Sequence, residues 1–172
     1  IVIGAKRLSE VATFIRNKLQ KADRTIQGSS ADIYYKPPKG AKADFLRVRQ
    51  ANIDDGAKLT LKYTDKGSIT DRVEKDLNID DSVQACSILN DVFGKPAGEI
   101  DKKYIVFFFG STGTELDSAV SLYQIKNDKR IFLEVEAPSS KKMLTLFKKI
   151  EKILPYKLII ETRSLYQIFV KK

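Results

Sequence analysis

Apolar residues at Leu8, Val11, Ile15 and Leu19 recur at the three-and-four spacing of one helix face. With Ser9 as a candidate cap, they predict a helix over 9–20 whose polar side carries Arg16, Lys18 and Lys21. The small, polar "GSSA" reads as a break before a short strand "DIYY", and "KPPKG" as a loop, because two prolines cannot extend a ladder. From residue 44 the period changes to two. "DFLRVRQ", "AKLTLKYT" and "SITDRVEKDL", joined by "NIDDG" and "TDKG", predict an antiparallel meander. "DDSVQACSILNDVFG" returns to helical spacing through Val83, Ile88 and Val92 or Phe93, with acids in front and Gly94 as a stop. "KKYIVFFFG", "AVSLYQI" and "RIFLEVEA" then read as three strands with turns at "STGTE" and "KNDK". Pro138 and the serines after it open a helix with Met143, Leu146 or Phe147, Ile150 and Leu154 on one face. The closing "YKLIIETRSLYQIFVKK" is compatible with strand or helix.

These elements predict an α+β protein: a mostly antiparallel sheet or barrel with helices packed outside. The 172 residues fit one domain, 1–172, with a substantial core. Apolar residues at 42% and charged residues at 31% argue against disorder, and no apolar run reaches the roughly 18 residues of a membrane span. The opening "IVIGAKRL" has too short an apolar stretch for a signal peptide, so the expectation is a cytoplasmic protein without membrane partners. Cys86, the single cysteine, excludes an internal disulfide, and its apolar neighbours predict a buried structural thiol. The absence of histidine removes Ser-His-Asp and Cys-His catalysis and imidazole zinc sites. The net charge of +9 favours anionic partners.

The placement of charge narrows that class. Glu134 and Glu136 stand two apart on a strand, so their carboxylates share a face and repel unless a cation sits between them. Arg47 shares a face with Arg49, Lys58 with Thr60 and Lys62, and Arg72 with Glu74 and Asp76. Any one of these strands is explained by a solvated polar face. Together they suggest more: if the sheet closes, the charged faces converge in a water-filled, ligand-binding interior. Arg and Lys suit phosphate oxygens, and a carboxylate pair suits magnesium or manganese.

The order "LRVR", "LTLK", "DRVEKD", "FLEVE" resembles the CYTH superfamily of triphosphate tunnel metalloenzymes, from "DIYY" to the late "SLYQIF". The resemblance implies a closed antiparallel barrel of about eight strands forming a charged tunnel. It implies an enzyme, a metal-dependent triphosphatase using Mg2+ or Mn2+, acting on tripolyphosphate, thiamine triphosphate, a nucleoside triphosphate or an RNA 5′-triphosphate. Carried over by motif, Arg47, Arg49, Lys62 and Arg72 bind the triphosphate, helped by Lys58 and by Lys103 after the middle helix. Glu134 and Glu136 hold the metal with Asp76 as a further ligand, and Glu74 orients water or binds metal. The chain is expected to be a monomer or homodimer. Departures are equally plain. The family's N-terminal Glu-x-Glu-x-Lys strand has no counterpart in "IVIGAKRLSEV": either it precedes Ile1, or Ile1, Ile3 and Ala5 have replaced it. Gln124 stands where an acid is usual, and "KKYIVFFF" lacks an Arg. An adenylate cyclase and a non-catalytic phosphate or nucleotide binder therefore stay open beside the hydrolase.

Other motifs carry less. "GSTGTE" and "FGKPAG" do not fit G-x-x-x-x-G-K-[ST], and the acidic loops lack EF-hand spacing. Lys141, Lys142, Lys148, Lys149 and Lys152 read first as a solvated helix face, with RNA or a membrane surface as the other reading. A basic RNA-binding barrel is the remaining alternative.

Overall fold

The structure, a computed structural model, describes residues 1–4, 7–19, 21–52, 57–64, 72–110 and 117–171, without the side chains of Thr64 and Arg72. The turns "NIDDG", "TDKG" and "STGTE", and the segment "SITD" before the fourth long strand, lie wholly or largely outside the described residues.

Among the described residues nine strands pair in the order β5-β4-β3-β2-β6-β7-β8-β1-β9. They are β1 (Val2–Ile3), β2 (Arg24–Tyr35), β3 (Phe45–Ala51), β4 (Ala57–Thr64), β5 (Arg72–Ile79), β6 (Gly98–Phe109), β7 (Ser118–Ile125), β8 (Ile131–Glu136) and β9 (Leu158–Ile159). The ladders with a described register are antiparallel. Among the described residues no ladder joins β5 to β9, so the sheet is α+β in class but not closed as the barrel expectation required. The described residues also form three helices, α1 (Leu8–Lys18), α2 (Ser82–Phe93) and α3 (Ser140–Ile153), and a π-helical turn at Tyr166–Val170. Among the described residues no helix is long and apolar enough to cross a membrane.

Contacts divide the chain into two compact units, one of residues 1–28 and 102–161, the other of 29–101 and 162–172. In the first, α1 and α3 cover one face of β6, β7, β8 and β1. Val11, Ile15, Ile150 and Leu154 meet Phe107, Val120, Leu122, Ile131, Leu133 and Ile3 in a core from which water is excluded. In the second, α2 lays Leu89, Cys86 and Phe93 on Ile33, Tyr35, Leu46, Val48 and Leu59. Cys86 is half-buried against this cluster rather than enclosed by it.

Helix ends follow local chemistry. Asp81 caps α2 by accepting from the Gln84 amide at 2.9 Å, and the chain leaves at Gly94, whose φ of 79° suits a residue without Cβ. Ser139 caps α3 by accepting from the Lys142 amide at 3.3 Å. Ser9 does not cap α1: the helix starts one residue earlier, and the Ser9 carbonyl accepts from the Thr13 hydroxyl at 2.8 Å.

Two sequence readings change. "GSSA" is interior to a strand of 12 residues, because Asn52 supplies the side-chain oxygen that accepts from the Ser29 amide at 2.8 Å while its own amide bonds the Ser29 carbonyl. "IVI" contributes a two-residue strand held between β8 and β9, too short to show a period. The closing segment is both things its composition allowed, a two-residue strand and a helical turn.

Ile150 is fully buried in the first core, so Ile150→Ala should cost about 2–5 kcal/mol in urea unfolding. Val83 is 77% exposed on α2, so Val83→Ser should stay within about 0.5 kcal/mol. Equal losses from the two would contradict this placement of the core.

Candidate functional site

In the second unit, strand alternation decides which side chains α2 leaves uncovered. The registers set Asp32 beside Arg49 and Lys58, Tyr34 beside Arg47, Thr60 and Asp76, and Phe45 beside Lys62 and Glu74. Directly opposed residues of a ladder share a face, so Arg47, Arg49, Lys58, Lys62, Glu74 and Asp76 form one polar surface, opposite the apolar set under α2. The side chain of Arg72 lies outside the described ones; its backbone pairs with Thr64.

The cations of this surface do not stand alone. Asp32, which "DIYY" gave as only a strand residue, is completely buried and organises the basic pair. Arg49 donates to both its oxygens, Nε to Oδ1 at 2.7 Å and Nη2 to Oδ2 at 2.9 Å, in a bidentate fork. Arg47 Nη1 lies 3.6 Å from Oδ2, and the Tyr34 hydroxyl donates to Oδ2 at 3.4 Å. Lys58 pairs with Asp76 at 3.7 Å and Lys62 with Glu74. Asp32 was legible in part, since it shares strand parity with Tyr34 two residues on and its strand precedes the Arg-x-Arg strand, but nothing in its own segment marks it.

Arg47 is the exception within this balance. It is 9% exposed, and Nη2 donates to Thr60 Oγ1 at 3.2 Å. Its Nε has no hydrogen-bond partner among the described residues, and neither has Ser30 Oγ on the same strand face as Asp32. A buried donor left unmade costs roughly 1–3 kcal/mol, which an acceptor supplied from outside would offset. Tyr34 closes one end of the surface, its ring 5.2 Å from Phe45 and 5.5 Å from Tyr166.

In the first unit, Glu134 opposes Ser121 and Glu136 opposes Ala119, both exposed on the face away from α1 and α3. Phe132 continues that face and stacks on Tyr123 at 5.5 Å. The register separates the two lysines of "KKYIVFFF". Lys103 opposes Gln124, which opposes the core residue Ile131, so Lys103 belongs to the helix-covered side. Lys102 shares the side of Glu134 and lies buried with Nζ 5.6 Å from the Tyr123 ring centre. Lys102, not Lys103, is the basic residue that β6 sets on the carboxylate face.

The same parity corrects one explanation of the N-terminal departure. Ile1 and Ile3 oppose Leu133 and Ile131 and face the core, so they cannot stand in for carboxylates beside Glu134. Val2, opposite Phe132, is on the carboxylate face. Ala5 and Lys6 lie outside the described residues.

Two carboxylates on adjacent same-face positions fit a hard cation that completes its shell with phosphate oxygens and water. Among the described residues no group of three acidic or thiol side chains gathers as a metal site from the protein alone. Asp76, on β5, pairs with Lys58 of β4.

No family model matches the chain, and no curated protein matches it. Solved structures do. A conserved hypothetical protein of Pyrococcus furiosus is 15% identical, covering 98% of both chains with a TM-score of 0.73. A putative adenylate cyclase of Vibrio parahaemolyticus is 12% identical over 98% of this chain and 94% of its own, TM-score 0.67. A putative adenylyl cyclase of Hippeastrum, described as having a dominant triphosphatase activity, is 13% identical over 98% and 91%, TM-score 0.66. At these identities the likeness is one of fold, and it spans nearly the whole chain.

Removing the carboxylate at the centre of the basic pair leaves partly buried guanidinium groups uncompensated. Asp32→Asn should therefore cost about 3–5 kcal/mol in urea unfolding. Adding Arg49→Met should recover part of that loss, and a double variant no better than the single would contradict the pairing.

Burial, reinforced by the nearby Asp32 carboxylate, holds the Tyr34 phenol well above its ordinary range, against the opposing pull of Arg47 and Arg49. A raised folded pKa means that this stabilisation is complete below about pH 10 and declines as pH rises, because the unfolded chain ionises first. Tyr34→Phe should flatten the alkaline fall of stability in urea unfolding above that pH. An unchanged slope would show that other groups set it.

Proposed function

We propose that the protein binds a triphosphate on the polar surface of β3, β4 and β5 and hydrolyses its terminal phosphoryl group with a divalent metal. The observation that carries the reading is Arg47, a nine-tenths buried guanidinium whose Nε lacks an acceptor on a surface of Arg and Lys. An anion of several oxygens is the ligand class such a donor set suits. The fold shared with the Hippeastrum protein, described as a triphosphatase, supports the reaction class.

In this reading Asp32 holds Arg49 and Arg47 in fixed orientation, so that little reorganisation accompanies binding. Arg49 uses Nε and Nη2 on Asp32, so Nη1 is the nitrogen outside that fork. Lys62 and Lys58 exchange Glu74 and Asp76 for phosphate oxygens, and the released Glu74 orients the attacking water. Glu134 and Glu136 would hold Mg2+ or Mn2+, and the chemistry such an ion would supply is neutralisation of charge at phosphate oxygens. Catalysis then rests on positioning and charge stabilisation, as in other phosphoryl transfers.

A second reading, a non-catalytic phosphate or nucleotide binder, is favoured by Val2 on the carboxylate face, where the resembled family carries acidic and basic groups. A third, adenylate cyclase chemistry, follows the description of the Vibrio protein.

A panel of tripolyphosphate, thiamine triphosphate, ATP and 5′-triphosphorylated RNA, assayed with magnesium and with manganese, separates them. The expected result is phosphate release that falls about a hundredfold or more in Glu134→Gln/Glu136→Gln. Undiminished hydrolysis in that variant would sink the assignment, cyclic AMP with pyrophosphate would establish the cyclase, and saturable binding without turnover would establish the binder.

A further inference from the structure

The excess positive charge of this protein is not where the proposed triphosphate ligands are. The second unit, which holds Arg47, Arg49, Lys58, Lys62 and Arg72, contains 14 basic and 13 acidic residues, a net of +1. The first contains 17 basic and 9 acidic residues, a net of +8 of the total +9. Binding on β3, β4 and β5 therefore leaves the basicity of the chain without an explanation.

Within the first unit the charge concentrates on the helices. α3 carries Lys141, Lys142, Lys148, Lys149 and Lys152 against Glu151 alone, all exposed. Lys142 is engaged with Asp117 at 3.6 Å, which leaves four lysines as the candidate contacts. Lys141, Lys148 and Lys152 follow one line along the helix, a span of about 16 Å at 1.5 Å per residue, with Lys149 beside it. α1 packs next to α3 in the same core and adds Arg16 and Lys18 to the exposed surface, flanked by Arg7 and Lys21. This layer covers the face of the strands opposite Glu134 and Glu136.

The apolar side of α3 is already in use. Leu146, Ile150, Ile153 and Leu154 belong to the core, Met143 and Phe147 are half-buried, and Leu144, 52% exposed, is the one large apolar residue of the helix that is mostly in solvent. A helix that lies on a membrane inserts its apolar face into the lipid, and α3 has none to offer. What it presents is a line of compact cations on flexible stems, which suits a row of phosphates that needs no directional fork. A nucleic-acid strand provides one, with a phosphate about every 3.4 Å of duplex axis. No fully exposed residue of α1 or α3 is aromatic: Phe14 and Phe147 are half-buried, and the Phe14 ring is already engaged edge-on by Tyr156 and by Lys18, 5.6 Å from its centre, so the contact argued here is to the backbone and independent of sequence.

We propose that the outer surface of α1 and α3 is a docking face for the phosphate backbone of nucleic acid. It is separate from the residues proposed to bind the triphosphate and does not require that activity.

The test uses a labelled 5′-hydroxyl oligouridylate of about twenty nucleotides, which lacks a triphosphate, and follows fluorescence anisotropy from about 50 mM salt upward. Wild type should bind with an affinity that falls steeply with salt. Lys141→Gln/Lys148→Gln/Lys149→Gln/Lys152→Gln should weaken binding at least tenfold and reduce the log–log salt slope by roughly three, at about 0.7 per single-strand phosphate contact. These side chains are exposed, so its thermal midpoint should match wild type. Should that variant misfold, Arg16→Gln/Lys18→Gln on α1 gives the independent reading, with a slope reduction of roughly one. The proposal is overturned if wild type does not bind the oligomer, if neither variant changes the slope, or if phosphatidylserine vesicles bind the helices and the oligomer does not compete.

Discussion

In each long strand of this protein, helices claim one set of alternate side chains and confine polar chemistry to the other. Val48 and Ile131 cannot move to the polar side, nor Arg47 and Glu134 to the apolar side, without a register slip that turns over a whole strand. That constraint makes Asp32 a partner of two arginines, makes Lys102 rather than Lys103 a neighbour of the carboxylate face, and turns Ile1 and Ile3 toward the helices.

Confinement to one side of a sheet brings like charges together, and the two units resolve this differently. In the second, acids are interleaved with bases across neighbouring strands, so that its cations sit in a nearly neutral setting. In the first, charge collects on the outside of helices, where water and salt screen it and long side chains can spread. Net charge is therefore a poor guide to the candidate phosphate site and a better one to the helical surface.

Most of the strands and all three helices were legible from period alone, because each segment has one apolar stripe whose spacing matches its secondary structure. β4 runs over Ala57–Thr64 as "AKLTLKYT" predicts. The failures have physical causes. Two residues of β1 and of β9 cannot display a period, and "GSSA" forms strand because Asn52 and neighbouring strands satisfy its backbone, which composition does not reveal. Sequence parity grouped Arg47 with Arg49, Lys58 with Lys62, and Glu74 with Asp76, strand by strand. It could not say which acid meets which base, because that depends on the register between strands. Lys103 shows the same limit: two adjacent lysines are equivalent in a string and opposite in a sheet.

A strand of two residues has the longest reach. β1 joins β8 through Val2 and Phe132, about 130 residues apart, and β9 through Val2 and Ile159, farther still, whereas β2 to β5 pair through neighbouring hairpins. Closing so large a loop for two residues of ladder is entropically late, after the hairpins have formed and β8 is in place. The two-residue strand thus makes the ladders whose closure costs most in loop entropy, and burial of Ile3 in the core of the first unit offsets that cost.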